Sequence, residues 1–96
     1  MRGETVPPKV TVRLFHELRE SLGQSQLEVE ADTLGDVVAS LISKKDSVRD
    51  SIFDSRGKIR TYTTVYINNA AQTPPEFSRK LNDGDIILLV PTAAGG

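Results

Sequence analysis

Apolar and polar residues alternate in three separate stretches of the chain, and in one longer stretch they recur with a helical period. From Lys9 the text reads KVTVRLF, in which Val10, Val12 and Leu14 alternate with Thr11 and Arg13. That pattern predicts a half-buried strand. HELRESLG breaks the alternation: Leu18 and Leu22 lie four apart and Gly23 follows, which predicts a short helical turn or a loop. SQLEVEA alternates again through Leu27 and Val29 and predicts a second strand, the hairpin partner of the first.

DTLGDVVASLISKK changes the period. Leu34, Val37, Val38, Leu41 and Ile42 fall at i, i+3, i+4, i+7 and i+8, one apolar stripe of a helix. Asp32 or Thr33 can cap its start, and Thr33 with Asp36 resembles a capping box. Lys44 and Lys45 close it favourably against the helix dipole. SVRDSIF offers another helical turn through Val48, Ile52 and Phe53, and DSRGK turns the chain. TYTTVYIN, rich in β-branched and aromatic residues, predicts a third strand. Asn68 and Asn69 can take the positive φ of a tight hairpin, leading into a short strand from about Ala70 to Thr73. Pro74-Pro75 forces a loop, LNDGD turns, and IILLV is the last strand, which Pro91 ends by removing a donor.

The order is strand, strand, helix, strand, short strand, strand. Each element has one apolar side to bury, so a single main helix must cover one face of a mixed sheet of four to five strands. This is an α+β architecture. The first and last strands are expected side by side and parallel at its centre, and an all-apolar IILLV suits a central strand. Residues 1–9 read as a flexible leader, 10–91 as the folded domain and 92–96 as a flexible tail. The sequence contains no repeats, low-complexity tracts or second domain.

Composition narrows the function classes. With 96 residues there is room for one modest core. Hydrophobic residues at 38% and charged residues at 26% describe a folded globular chain rather than a disordered one. Net charge is −1 and scattered, so no long-range field draws a nucleic acid or an anionic membrane. The longest apolar run, Ile86 to Val90, is too short to span a bilayer, and MRGETVPPK lacks the apolar stretch of a signal peptide. Cysteine is absent, which removes disulfides and thiolate chemistry. A cytoplasmic location is expected.

Catalytic inventory is thin. His16 is the sole histidine and reads as a surface residue after the first strand, so a histidine metal cluster is not expected. Glu17, Glu20, Glu28, Glu30, Asp83 and Asp85 are scattered, and the last two flank Gly84 in a turn. Basic residues lack the clustering and aromatic interleaving of a nucleic-acid surface. No catalytic residue is assigned, and no bound cofactor or metal.

Two features remain. Alternation in DIILLV sends one set of side chains to each face of the sheet, and the helix covers one face only. With Ile87 and Leu89 as the counterpart of the helix stripe, Leu88 and Val90 turn outward together with Tyr66. Beside Pro91 they form a candidate partner surface. The other feature is the ending PTAAGG. At an average Gly usage of about 7%, a closing Gly-Gly arises in roughly one chain in two hundred, and it does nothing for stability.

VRLFHELRESLG, TLGDVVASL, VYINN and above all LNDGDIILLVPTAAGG resemble the molybdopterin-synthase small subunit (MoaD-type) and its ThiS-like relatives, the ubiquitin-like β-grasp sulfur carriers. The likeness covers about residues 9–96. Thr92 replaces the common second proline and Asn69 the hairpin glycine, while SVRDSIFDSRGKIRTYTT looks more like the archaeal members, including small archaeal modifier proteins. The resemblance implies a β-grasp fold and a carrier without catalysts of its own. It implies that an adenylating enzyme of the ubiquitin-activating type uses ATP to make an acyl-adenylate at Gly96. A sulfur donor enzyme then replaces AMP and leaves a thiocarboxylate, which a molybdopterin-synthase large subunit would use. Alternatives are conjugation of Gly96 to substrate lysines, sulfur donation to tRNA, and a β-grasp interaction module with an inert tail. Gly95 and Gly96 have no Cβ to collide with a narrow channel, Ala93 and Ala94 keep the tail slim, and Pro91 stiffens its exit.

Overall fold

A computed structural model describes residues 6–60, 63–72 and 74–91. Its strands are β1 (Lys9–Leu14), β2 (Gln26–Glu30), β3 (Thr63–Ile67), β4 (Ala70–Gln72) and β5 (Ile86–Pro91). Its helices are α1 (His16–Leu22), α2 (Leu34–Lys44) and α3 (Val48–Ile52). The strands form one mixed sheet in the order β2-β1-β5-β3-β4. β1 and β5 are parallel neighbours, and every other pair is antiparallel. This is the β-grasp arrangement, with the first and last strands together at the centre.

The helix stripe and one face of the sheet make the core. Leu34, Val37, Val38 and Leu41 of α2 are buried, as are Val10, Val12, Leu14, Val29, Val65, Ile67, Ile87 and Leu89 of the strands. Ile42, at the edge of the stripe, is only partly buried. Thr33 takes the cap position: its hydroxyl accepts from the N–H of Asp36 at 3.2 Å. Two further N–H groups at the start of α2 are satisfied from outside the helix, Leu34 donating to the Arg79 carbonyl at 3.0 Å and Gly35 to that of Phe77 at 2.8 Å. Free N–H groups at a helix start need such partners. The β4–β5 connection therefore runs over the N-terminus of α2 as a strap, and Gly35 permits its approach. A Cβ there would lie 3.0 Å from the Phe77 carbonyl oxygen. Phe77 also meets Phe53, ring centroids 5.7 Å apart, which ties the strap to the end of α3.

Several boundaries differ from the sequence expectation. HELRESL is a full helix, closed by Gly23 at φ 73° with its N–H on the Arg19 carbonyl. Only Leu18 of that helix is fully buried, too little to give a periodic signal. β1 begins at Lys9, one residue inside the expected leader, where Lys9 pairs with Glu30 and the Pro8 carbonyl accepts from Ala31 at 2.9 Å. The short strand covers Ala70–Gln72, and Thr73 lies outside the described residues. Pro91 is the last residue of β5, opposite Thr63, so the strand ends at the proline as expected and includes it. A terminal strand position can tolerate the missing N–H.

Candidate functional site

β5 is the strand that leads to the tail. It is central, flanked by β1 and β3, and its final residue is Pro91 opposite Thr63. Thr92, Ala93, Ala94, Gly95 and Gly96 lie outside the described residues, as do residues 1–5 of the expected leader. β5 is paired with β1 as far as Leu89, and β3 alone carries the ladder on to Val90 and Pro91, the residues at the base of the tail.

Alternation along β5 divides its side chains cleanly. Ile87 and Leu89 are fully buried under α2, whereas Leu88 and Val90 are half-buried and Ile86 is 42% exposed. Registers carry this division across the sheet. On the face away from α2, Leu88 stands beside Tyr66 of β3 on one flank and Arg13 of β1 on the other. Tyr66 in turn faces Ala71 of β4, Val90 faces Thr64, and Ile86 stands beside Thr11. Tyr66, Leu88 and Val90 are therefore neighbours on one face that no described helix covers, next to Pro91. Thr64, Ala71, Ile86 and Arg13 share it and were not singled out from sequence. The same two-residue period places the outward positions of each strand, but Ala71 and Arg13 join the patch only through pairing registers that the sequence does not state.

Elsewhere the chemistry is structural. His16 is exposed at the first position of α1 with φ 55°. Asp85 accepts from the N–H of Asn82 and the side-chain amide of Asn68, both at 2.9 Å, and Asp83 accepts from the N–H of Lys9 at 2.9 Å. These two carboxylates bind turns together rather than converge on a cleft. A hollow of about 320 Å³ lies between Ile42, Arg49, Phe53, Asp54, Ser55 and Gly57. Its carboxylate, Asp54, is held below the usual carboxylate range, chiefly by the N–H of Lys58 and also by that of Arg56. It is thus a turn acceptor kept ionised, poorly suited to act as a proton shuttle near neutral pH. Among the described residues no three His, Cys, Asp or Glu side chains gather where a metal could be held. No described helix is long and apolar enough to cross a membrane.

Comparison with known proteins gives a consistent picture. A profile of the ThiS family matches residues 12–96, a span that includes β5 and the Gly-Gly ending. The sulfur carrier protein CysO of Mycobacterium tuberculosis is 29% identical over 91 residues, covering 91% of this chain and 98% of that protein. Small archaeal modifier protein 3 of Haloferax volcanii is 27% identical over 92 residues, covering 92% and 99% respectively. Among solved structures, small archaeal modifier protein 1 of Methanosarcina acetivorans superposes with a TM-score of 0.77 at 28% identity, over 93% of this chain and 97% of that one.

Proposed function

Because the chain belongs to the ThiS family, ubiquitin-like sulfur carriers rather than enzymes, we propose that Gly96 is the group it carries sulfur on. A carboxylate is a poor electrophile. A partner adenylating enzyme supplies the activation: a carboxylate oxygen of Gly96 attacks the α-phosphorus of ATP, pyrophosphate leaves, and an acyl-adenylate forms. A sulfide equivalent from a sulfur donor enzyme attacks the acyl carbon, AMP leaves, and Gly96 ends as a thiocarboxylate. No cofactor is held by the carrier, and ATP is consumed by the partner.

The observation that carries this reading is the strand from which the Gly-Gly segment follows in the sequence. That strand lies between two neighbours, and the patch of Tyr66, Leu88 and Val90 lies beside its last residue. A partner seated on that patch holds the domain by a rigid surface while the thin tail, with Ala93, Ala94, Gly95 and Gly96 free of bulky side chains, enters its active site. Activation draws on ATP, and we place the protein's work in the cytoplasm.

For the acceptor, the MoaD-type motifs support a molybdopterin precursor, with a molybdopterin-synthase large subunit as the partner at transfer. A second reading rests on the relative named a small archaeal modifier protein: the same adenylate passes Gly96 to substrate lysines as an isopeptide. tRNA thiolation is a third fate of the thiocarboxylate. Pyrophosphate release by the adenylating enzyme should depend on this chain and vanish when Gly96 is removed; release that survives the deletion contradicts the reading. Proteomics of cells that make the protein separates the fates. Lysines bearing a remnant traceable to this chain support the modifier route, and loss of molybdopterin on deleting the gene supports the leading acceptor.

A further inference from the structure

Two cations of β1 lie on the face away from α2, Lys9 at its start opposite Glu30 and Arg13 near its end, and of the two Arg13 is the one level with Leu88. Arg13 stands on β1 level with Leu88 of β5 on one side and Gln26 of β2 on the other. It is exposed, and its side chain makes no hydrogen bond or ion pair among the described residues. Glu28, the nearest acid on that face by register, lies opposite Thr11, one diagonal step away, and no ion pair joins it to Arg13. An arginine stem can lie along an apolar neighbour while the guanidinium stays in water. Beside Leu88 that water is lost once a partner closes over Leu88, Tyr66 and Val90.

We infer that Arg13 is the polar anchor of the docking face, and that the partner is a protein surface with an apolar patch and a carboxylate set to receive the guanidinium. The inference rests on the docking described under Proposed function and deepens it. A cation dried without a partner is strongly unfavourable, so a surface offering only apolar contacts there is rejected. A carboxylate meets the planar guanidinium with two parallel hydrogen bonds and fixes orientation as well as adding energy. β1 and β5 are parallel, so this contact sits three residues before Pro91 along the strand that leads to the tail. Apolar contacts at Tyr66, Leu88 and Val90 alone leave the domain free to rotate on its partner; the Arg13 pair removes that freedom and aims the tail.

The test is calorimetric binding of the full chain to its adenylating enzyme, at low and high salt, with Arg13→Gln, Arg13→Glu, Val90→Asp and, as a control far from the face, Lys45→Gln. Arg13→Gln should bind about 30-fold or more weakly and lose part of the salt dependence of the wild type. Arg13→Glu should be weaker still and recover when the facing carboxylate of the enzyme is changed to lysine. Lys45→Gln should match wild type, and all melting curves except that of Val90→Asp should superpose. If Arg13→Gln binds as wild type while Val90→Asp does not, the anchor is overturned and the docking face stands. If Val90→Asp is folded and binds unchanged, the face itself is wrong and the anchor falls with it. Unfolding of Arg13→Gln, or a dimer of the chain that Arg13→Glu disperses, would also overturn the inference.

Discussion

Asn68 and Asp85 lock the β3–β4 hairpin to the turn that starts β5. The side-chain amide of Asn68 donates to Asp85 at 2.9 Å, its carbonyl oxygen accepts from the N–H of Ile86 at 2.9 Å, and its own N–H donates to the Ile86 carbonyl at 2.9 Å. Asn68 and Asn69 have φ of 51° and 72°, the left-handed pair of a two-residue hairpin turn. An asparagine at the first of these positions therefore supplies what glycine cannot, a side chain that sets the register of the strand leading to the tail.

Replacing Asn68 by Gly keeps the backbone conformation accessible and removes both side-chain bonds. At about 0.5–1.5 kcal/mol per bond the loss should be roughly 1–3 kcal/mol. Asn68→Ala should lose about 1 kcal/mol more, because alanine disfavours positive φ. Urea unfolding measures both; an unchanged midpoint for Asn68→Gly would show that the bonds contribute nothing net.

Gly35→Ala tests the strap. In an open helix this change gains up to about 1 kcal/mol from propensity. Here the new Cβ meets the Phe77 carbonyl oxygen at 3.0 Å, and overpacking of that kind costs about 1–3 kcal/mol. Phe77 is anchored by its own bond to Gly35 and by packing on Phe53, so the strain should win and the variant should be the less stable. A stabilised variant would mean that the strap yields freely.

Leu41 and Val90 should separate core from docking face. Leu41 is fully buried on the α2 stripe, so Leu41→Ala should cost about 2–5 kcal/mol in unfolding experiments. Val90→Asp, on the uncovered face, should leave the domain folded and weaken binding of the adenylating enzyme. Equal loss of stability in both variants would place Val90 in the core.

Strand faces and the α2 stripe were legible in the sequence because each rests on a local period. Val10, Val12 and Leu14, or Leu34, Val37, Val38 and Leu41, need only their own spacing to declare a side. The parallel centre also followed, since IILLV carries apolar residues at every position. What was hidden depends on contacts between distant segments. Carbonyls of Phe77 and Arg79 cap α2 through the backbone, which leaves no trace in residue type except Gly35. α1 buries Leu18 alone and so lacks a stripe. Arg13 looked like an ordinary outward strand residue until the β1–β5 register set it beside Leu88. Of the candidate site, the shared face of Tyr66, Leu88 and Val90 was legible from alternation, whereas Ala71 and Arg13 required the pairing, and the tail after Pro91 lies outside the described residues.

Removing Gly95 and Gly96 should abolish activation by the adenylating enzyme and leave the melting temperature almost unchanged. Both follow Pro91, the last residue of β5, in the sequence, and chain ends generally contribute little to stability. A large drop in melting temperature would make the glycines part of the fold and contradict their role as a carrier end.

The most direct measurement is the intact mass of the chain after incubation with its adenylating enzyme, ATP and a sulfur donor, with a known carrier converted alongside. The account predicts a gain equal to the exchange of one oxygen for sulfur, localised by fragmentation to Gly96 and absent without ATP. An unmodified chain in a reaction where the control carrier is fully converted would contradict it.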